Sequence, residues 1–178
     1  MSALQLSRML GLSYESTWFM CHRIREGMKP TGTAPIGGDN KVVEADETFI
    51  GGKAKNRAYK KKEPKKHAVM TLVARDGESR TFHVANVKAK TLRETIVKVA
   101  SRKSYLATDE LASYGLMKRA VFGTHHSISE AHLPRYLAEW DFKWNIRNIT
   151  DGERAALALK GAEGKRLTYR QPREGAHA

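Results

Sequence analysis

Two aspartates, Asp46 and Asp109, stand in strand-forming sequence 109 − 46 = 63 residues apart. Asp46 lies inside the run VVEADETFIGGK, and Asp109 follows SYLAT at the end of a second short strand. A carboxylate inside a strand is costly unless it is paired or binds a cation. Two aspartates on neighbouring strands can share divalent metals, and their hard oxygens suit Mg2+ or Mn2+, which keep several waters and bind substrate phosphates. Two such ions about 4 Å apart activate an attacking hydroxyl and steady the leaving oxygen in phosphodiester chemistry. The alternative for Asp46 is an edge acid facing solvent, and for Asp109 a helix cap or turn residue. Strand alternation puts Glu44 on the face of Asp46 and Glu47 on the other.

Six residues separate Asp46 from KAKNRAYKKKEPKK, residues 53–66, with eight basic residues and one acid. A solvated loop of this kind serves solubility in its plain reading. Beside acids, Lys53, Lys55, Arg57, Lys60, Lys61, Lys62, Lys65 and Lys66 read instead as an arm that contacts phosphates and releases their counterions. The acids would recruit ions while the basic surround recruits DNA.

The elements that must hold these residues are legible in pattern. Residues 3–28 predict two short helices broken at Gly11-Leu12-Ser13, with Ser13 as N-cap of the second and Glu15 favourable to its dipole. In that helix Tyr14, Thr17, Trp18, Cys21, Ile24 and Met28 make an apolar stripe, with Glu15, Ser16, His22, Arg23 and Glu26 mostly opposite. The outline fits a helix-turn-helix or a plain helical hairpin. Residues 29–40 have the composition of a linker. Residues 41–50 alternate as a strand, and AVMTLVARDGESRTFHVANV predicts two strands joined at Asp76-Gly77. A helix over LRETIVKVAS, the short strand before Asp109 and an aromatic-rich helix over AHLPRYLAEWDFKWNIRN complete a mixed α/β sheet covered by helices.

Composition sets the class. The 178 residues suit one domain with a small appendage, and 40% hydrophobic content builds a core. Lys and Arg exceed Asp and Glu by 32 − 19 = 13, a surplus that attracts polyanions, nucleic acid first. A lone cysteine, Cys21, rules out an internal disulfide framework or a cysteine-based zinc site. With no apolar run of membrane length and no signal-peptide layout, a cytoplasmic location is expected.

The blocks VVEADETFIGGK, ATDELASYG and LMKRAVFGTHHSISEAHLPRYLAEWDFKWNIRN closely resemble insertion-sequence transposases of the ISXO2-like, or IS1595, family. SALQLSRMLGLSYESTWFMCHRIREGM resembles the helical segment before their catalytic domain, and GKRLTYRQ its C-terminal end. The resemblance covers nearly the whole chain in order. It implies an RNase H-like domain that binds Mg2+ and cuts and joins DNA at transposon ends. Asp46 and Asp109 match the first and second catalytic acids and metal ligands, and Lys118 matches the lysine of the KR pair closing the third motif. Arg119 and Arg147 join the basic loop as expected DNA contacts.

The departures from the family are equally specific. Tyr114-Gly115 runs directly into Leu116-Met117-Lys118-Arg119, so the stretch supplying the family's third catalytic residue is missing near position 115. The family's zinc-ribbon-like N-terminal region is missing too, in keeping with the single cysteine. Glu130 and Glu139 lie in the wrong block to replace the third acid, and the resemblance gives His125 and His126 no metal role. A metal pair on two acids alone should bind ions weakly. The expected layout is a helical segment over 1–29, a linker over 30–40, the catalytic domain over 41–160 and a basic tail over 161–178. The expected function is a DDE-type transposase impaired in catalysis, acting on terminal repeats and target DNA, with a homo-oligomer left open. The alternatives are a DNA-binding remnant without chemistry, and a chain that no longer folds stably. Of Trp140, Phe142 and Trp144, one is expected near the DNA surface. Lys165, Arg166, Arg170 and Arg173 are further phosphate-contact candidates in the tail.

Overall fold

A computed structural model describes residues 1–30, 32, 34–51, 65–75, 77–107, 120–125 and 128–165. It is a mixed α/β architecture. Helices α1 (Ala3–Leu10) and α2 (Tyr14–Gly27) precede strands β1 (Val42–Gly51), β2 (Lys66–Ala74) and β3 (Ser79–Val84). Helix α3 (Ala89–Val99), strand β4 (Tyr105–Ala107), a π-helical turn (Val121–His125), α4 (Leu133–Asn145) and α5 (Asp151–Gly161) follow. The sheet order is β3-β2-β1-β4, antiparallel except for β4, which runs parallel to β1.

Local chemistry sets the helix ends. The Ser2 hydroxyl accepts from the Gln5 amide, and the Ser13 hydroxyl accepts from the Ser16 amide, the N-cap expected from the sequence. Between them Gly11 takes a left-handed φ of 64°, which glycine adopts without steric cost, and so ends α1. Thr150 and Glu153 form a capping box at the start of α5, a helix the sequence reading passed over.

Strand β2 is central and covered on both faces, which is why Ala68–Ala74 is a continuous buried run. On one face Val69 and Val73 join Ile50, Ile128, Leu133, Leu137 and Trp140, beneath α4. On the other, Ala68, Met70 and Leu72 pack with Val43, Ala45, Val84 and Val99 beneath α3. Each buried Val, Leu, Ile or Met among them contributes roughly 1.5–3 kcal/mol.

Two expectations change on contact with tertiary structure. The buried face of α2 follows the expected stripe only in part: Thr17 is buried and Trp18, Cys21 and Met28 half-buried, but Tyr14 and Ile24 are exposed, and His22 and Arg25 are buried instead. The cause is α4, whose aromatic and acidic surface takes the polar side of α2. His22 stacks among Trp18, His132 and Tyr136, with centroids 4.1–5.6 Å away. Arg25 lies 4.1 Å over the Tyr136 ring and 2.6 Å from Glu139. The stretch 29–40, which reads as a linker, contains Ile36, only 1% exposed. Its amide donates to the Val99 carbonyl and its carbonyl accepts from the Ser101 amide, so this point of the segment belongs to the core. Among the described residues no helix is long and apolar enough to cross a membrane.

Candidate active site on the β1 face of the sheet

Strand β1 presents Glu44 and Asp46 on the side of the sheet that α4 covers, while Val43 and Ala45 point into the opposite core. Both acids are half-buried. The α4 helix packs over β3, and its core reaches β2, so this face is less completely covered at β1. Glu44 accepts from Arg75 at 2.9 Å. The Oδ1 of Asp46 accepts from the Glu47 amide at 2.7 Å, which fixes the carboxylate orientation, and Glu47 itself is exposed.

Directly across from Asp46 in the β1–β2 register is Thr71, and across from Thr71 on β3 is Thr81. Their hydroxyls are 3.1 Å apart. The Thr81 hydroxyl donates to Asp141 Oδ1 at 2.6 Å and its amide donates to Oδ2 at 2.6 Å. The Ser79 hydroxyl adds a third donor at 2.9 Å. One turn further along α4, Asn145 accepts from the Ser79 amide and donates to the Ser79 carbonyl, at 2.7 and 3.0 Å. Asp141 and Asn145 thus satisfy backbone groups of the edge strand β3 that would otherwise lie open to pairing. Burial pushes the Asp141 carboxyl up to about 6, although the three donors around it favour the charged form. Sequence reading missed Asp141. No spacing marks it, because the partners that bury it come from β3, 60 and 62 residues earlier.

The neighbouring ion pairs bind α2 to α4. Burial pushes Glu139 up, but Arg25 and Lys143 outweigh it and hold the carboxyl down at about 2. Burial, with Arg25 second, lowers His22 to about 3, and the same two causes in the same order lower His125 to about 4. Both rings are therefore neutral at pH 7.

Asp109, Lys118, Arg119, Lys53, Lys55, Arg57, Lys60, Lys61 and Lys62 lie outside the described residues. Lys65 and Lys66 are exposed at the start of β2, where Lys66 pairs with Gly51. Arg147 lies 4.6 Å over the Trp144 ring and donates to the Gly77 and Trp144 carbonyls, so its guanidinium buttresses the β2–β3 turn. Lys165 donates to the carbonyls of Glu26 and Lys29 past the end of α2. Trp140 is buried in the core, and Trp144 and Phe142 are half-buried.

Residues 37–119, from just before β1 to beyond β4, match the family model of the ISXO2-like transposase domain. That segment is similar to an ISXO2-like transposase domain. No curated protein and no solved structure matches the chain. The matched segment takes in β1–β4 and α3, and therefore the strand that holds Asp46. Helices α1, α2, α4 and α5 lie outside the matched segment.

Proposed function

We propose that the protein is a DDE-type transposase of the IS1595 kind, with an RNase H-like catalytic domain. In this reading Asp46 and Asp109 hold divalent metal, Lys118 contacts DNA beside them, and the basic residues hold the substrate. The observation that carries the reading is the placement of Asp46. It is half-buried on β1, inside the segment that matches the transposase model, on the strand that pairs in parallel with β4. That parallel register sets Glu44 beside Ala107. Asp46 follows Glu44 by two residues, and Asp109 follows Ala107 by two in the sequence. The order β3-β2-β1-β4 suits the RNase H-like sheet that the resemblance implies.

The donor set fits Mg2+ or Mn2+ in kind, since a carboxylate oriented by a backbone amide is a hard oxygen ligand. Bound between two acids, the metal would lower the pKa of the attacking water or hydroxyl and neutralise charge on the phosphate. The chain's part is to orient Asp46 through the Glu47 amide and to gather the polyanion through its surplus of 13 positive charges.

Strand cleavage on DNA carrying the insertion-sequence ends tests this proposal. Mg2+-dependent nicking should fall by at least about a hundredfold in Asp46→Ala, since removing a ligand disorders the metal. Equal nicking by wild type and variant would overturn it. A second reading, DNA binding without chemistry, is favoured by the missing third motif between Gly115 and Leu116. It predicts salt-sensitive binding that Asp46→Ala leaves intact or strengthens, with no cleavage by either protein.

A further inference from the structure

We propose that His67, His83 and Glu130 form a binding site for a divalent transition-metal ion of the Zn2+ type, independent of the Asp46 centre. Their ligand atoms lie within 4.8 Å of one another, and three separate elements supply them. His67 is the second residue of β2 and its side chain is 11% exposed. His83 on β3 stands opposite Val69, so the two imidazoles are diagonal neighbours on one face of the sheet. Their ring centroids are 5.5 Å apart, at 73° to each other. Glu130 sits in the turn that leads into α4, between the buried anchors Ile128 and Leu133. Its Oε2 is 3.9 Å from His67 Nδ1.

The donor chemistry chooses the ion. Imidazole nitrogens favour Zn2+, Co2+, Ni2+ or Cu2+, whereas Mg2+ takes oxygen ligands and retains its water. Two histidines and one carboxylate fill three positions of a tetrahedral site and leave the fourth to water. Metal–ligand bonds of about 2.0–2.1 Å place tetrahedral ligand atoms roughly 3.3 Å apart, so the cluster must contract by up to about 1.5 Å on binding. The side chain free to move is Glu130, which is 59% exposed, while the strands hold the two histidines.

The site is distinct from the proposed catalytic centre. His67 stands opposite Ile50 on β1, four residues along the strand from Asp46, or about 13 Å away. An ion here would fasten the edge hairpin β2–β3 to the segment that launches α4, and its role is therefore structural stabilisation.

The test uses the untagged, chelator-stripped chain titrated with Co2+ and with Zn2+ alone. One ion per chain should bind, Co2+ should develop the visible absorption of a tetrahedral site, and Zn2+ should raise the unfolding temperature. Glu130→Gln should weaken Co2+ affinity at least about tenfold, and the His67→Ala/His83→Ala pair should abolish the absorption. Asp46→Ala should leave both unchanged, which separates this site from the catalytic proposal. If the double histidine variant fails to fold, Glu130→Gln decides, because it keeps the size of a side chain that is 59% exposed. The proposal is overturned if wild type binds no Co2+, if Glu130→Gln keeps full affinity, or if Asp46→Ala removes binding.

Discussion

Asp141 accepts from the Ser79 hydroxyl and from both the amide and the hydroxyl of Thr81, and it is buried among them. Burial dominates, so the folded chain holds this proton up to about pH 6, whereas the unfolded chain releases it near 3.8. The folded pKa is the higher of the two. Stability from this group is therefore fully present below about pH 4 and is lost as pH rises through 6. The gap is worth roughly 3 kcal/mol at most. His22 and His125, lowered to about 3 and about 4, act the other way, losing stability as pH falls through 6.5. A single profile mixes these effects, so the informative quantity is a difference. Urea unfolding of wild type and Asp141→Asn at several pH values should show wild type losing its relative advantage between about pH 4 and pH 7. A constant difference across that range would show that Asp141 titrates normally.

At the scale of elements, α2 and α5 meet through bare backbone. A Cβ on Gly27 would lie 2.7 Å from the Ala158 carbonyl oxygen and 2.9 Å from the Ala162 Cβ. Gly27→Ala should therefore push the helices apart and cost about 1–3 kcal/mol. At about 2–4 °C per kcal/mol in a chain of this size, thermal unfolding resolves it. Gly152, with nothing within 4 Å of its added Cβ, is the control. Gly152→Ala should be neutral or raise stability by up to about 1 kcal/mol. The same contrast explains which elements the sequence revealed. The Ser13 cap, the β1 alternation and the turn at Asp76-Gly77 rest on interactions within a few residues, and each strand or helix they predict is present. The burial of His22 and Arg25, and the strand-like anchoring of Ile36, depend on partners from α4 and α3 that no local pattern announces. Helix α5 carries a local signal of the same kind, the Thr150–Glu153 capping box. Of the candidate site, Asp46 and its shared face with Glu44 were legible from alternation alone, while the Thr71–Thr81–Asp141 chain beside it required the sheet register.

Across the whole molecule the sheet is unevenly fastened. The β1–β2 pairing extends over nine residue pairs and lies between two cores. Among the described residues the β1–β4 pairing has three, between positions 105 − 42 = 63 residues apart in the chain. Tyr105 and Leu106 are exposed, so little apolar burial holds that edge. Non-local pairings of this kind form late and open early. Native-state hydrogen exchange should show β4 amides exchanging well before those of Val69–Val73, with the Ile36–Ala100 bridge following β4. Uniform protection across the four strands would contradict this.

The exposure of Tyr105 and Leu106 on β4 bears on how the proposed centre is assembled. Asp46 lies on a strand paired over nine residues with β2, while Asp109 follows in sequence from a strand whose apolar residues bury little. Ions that bridge the two would then work as a clasp, and the affinity of the centre for metal would rise and fall with how tightly that border strand is seated.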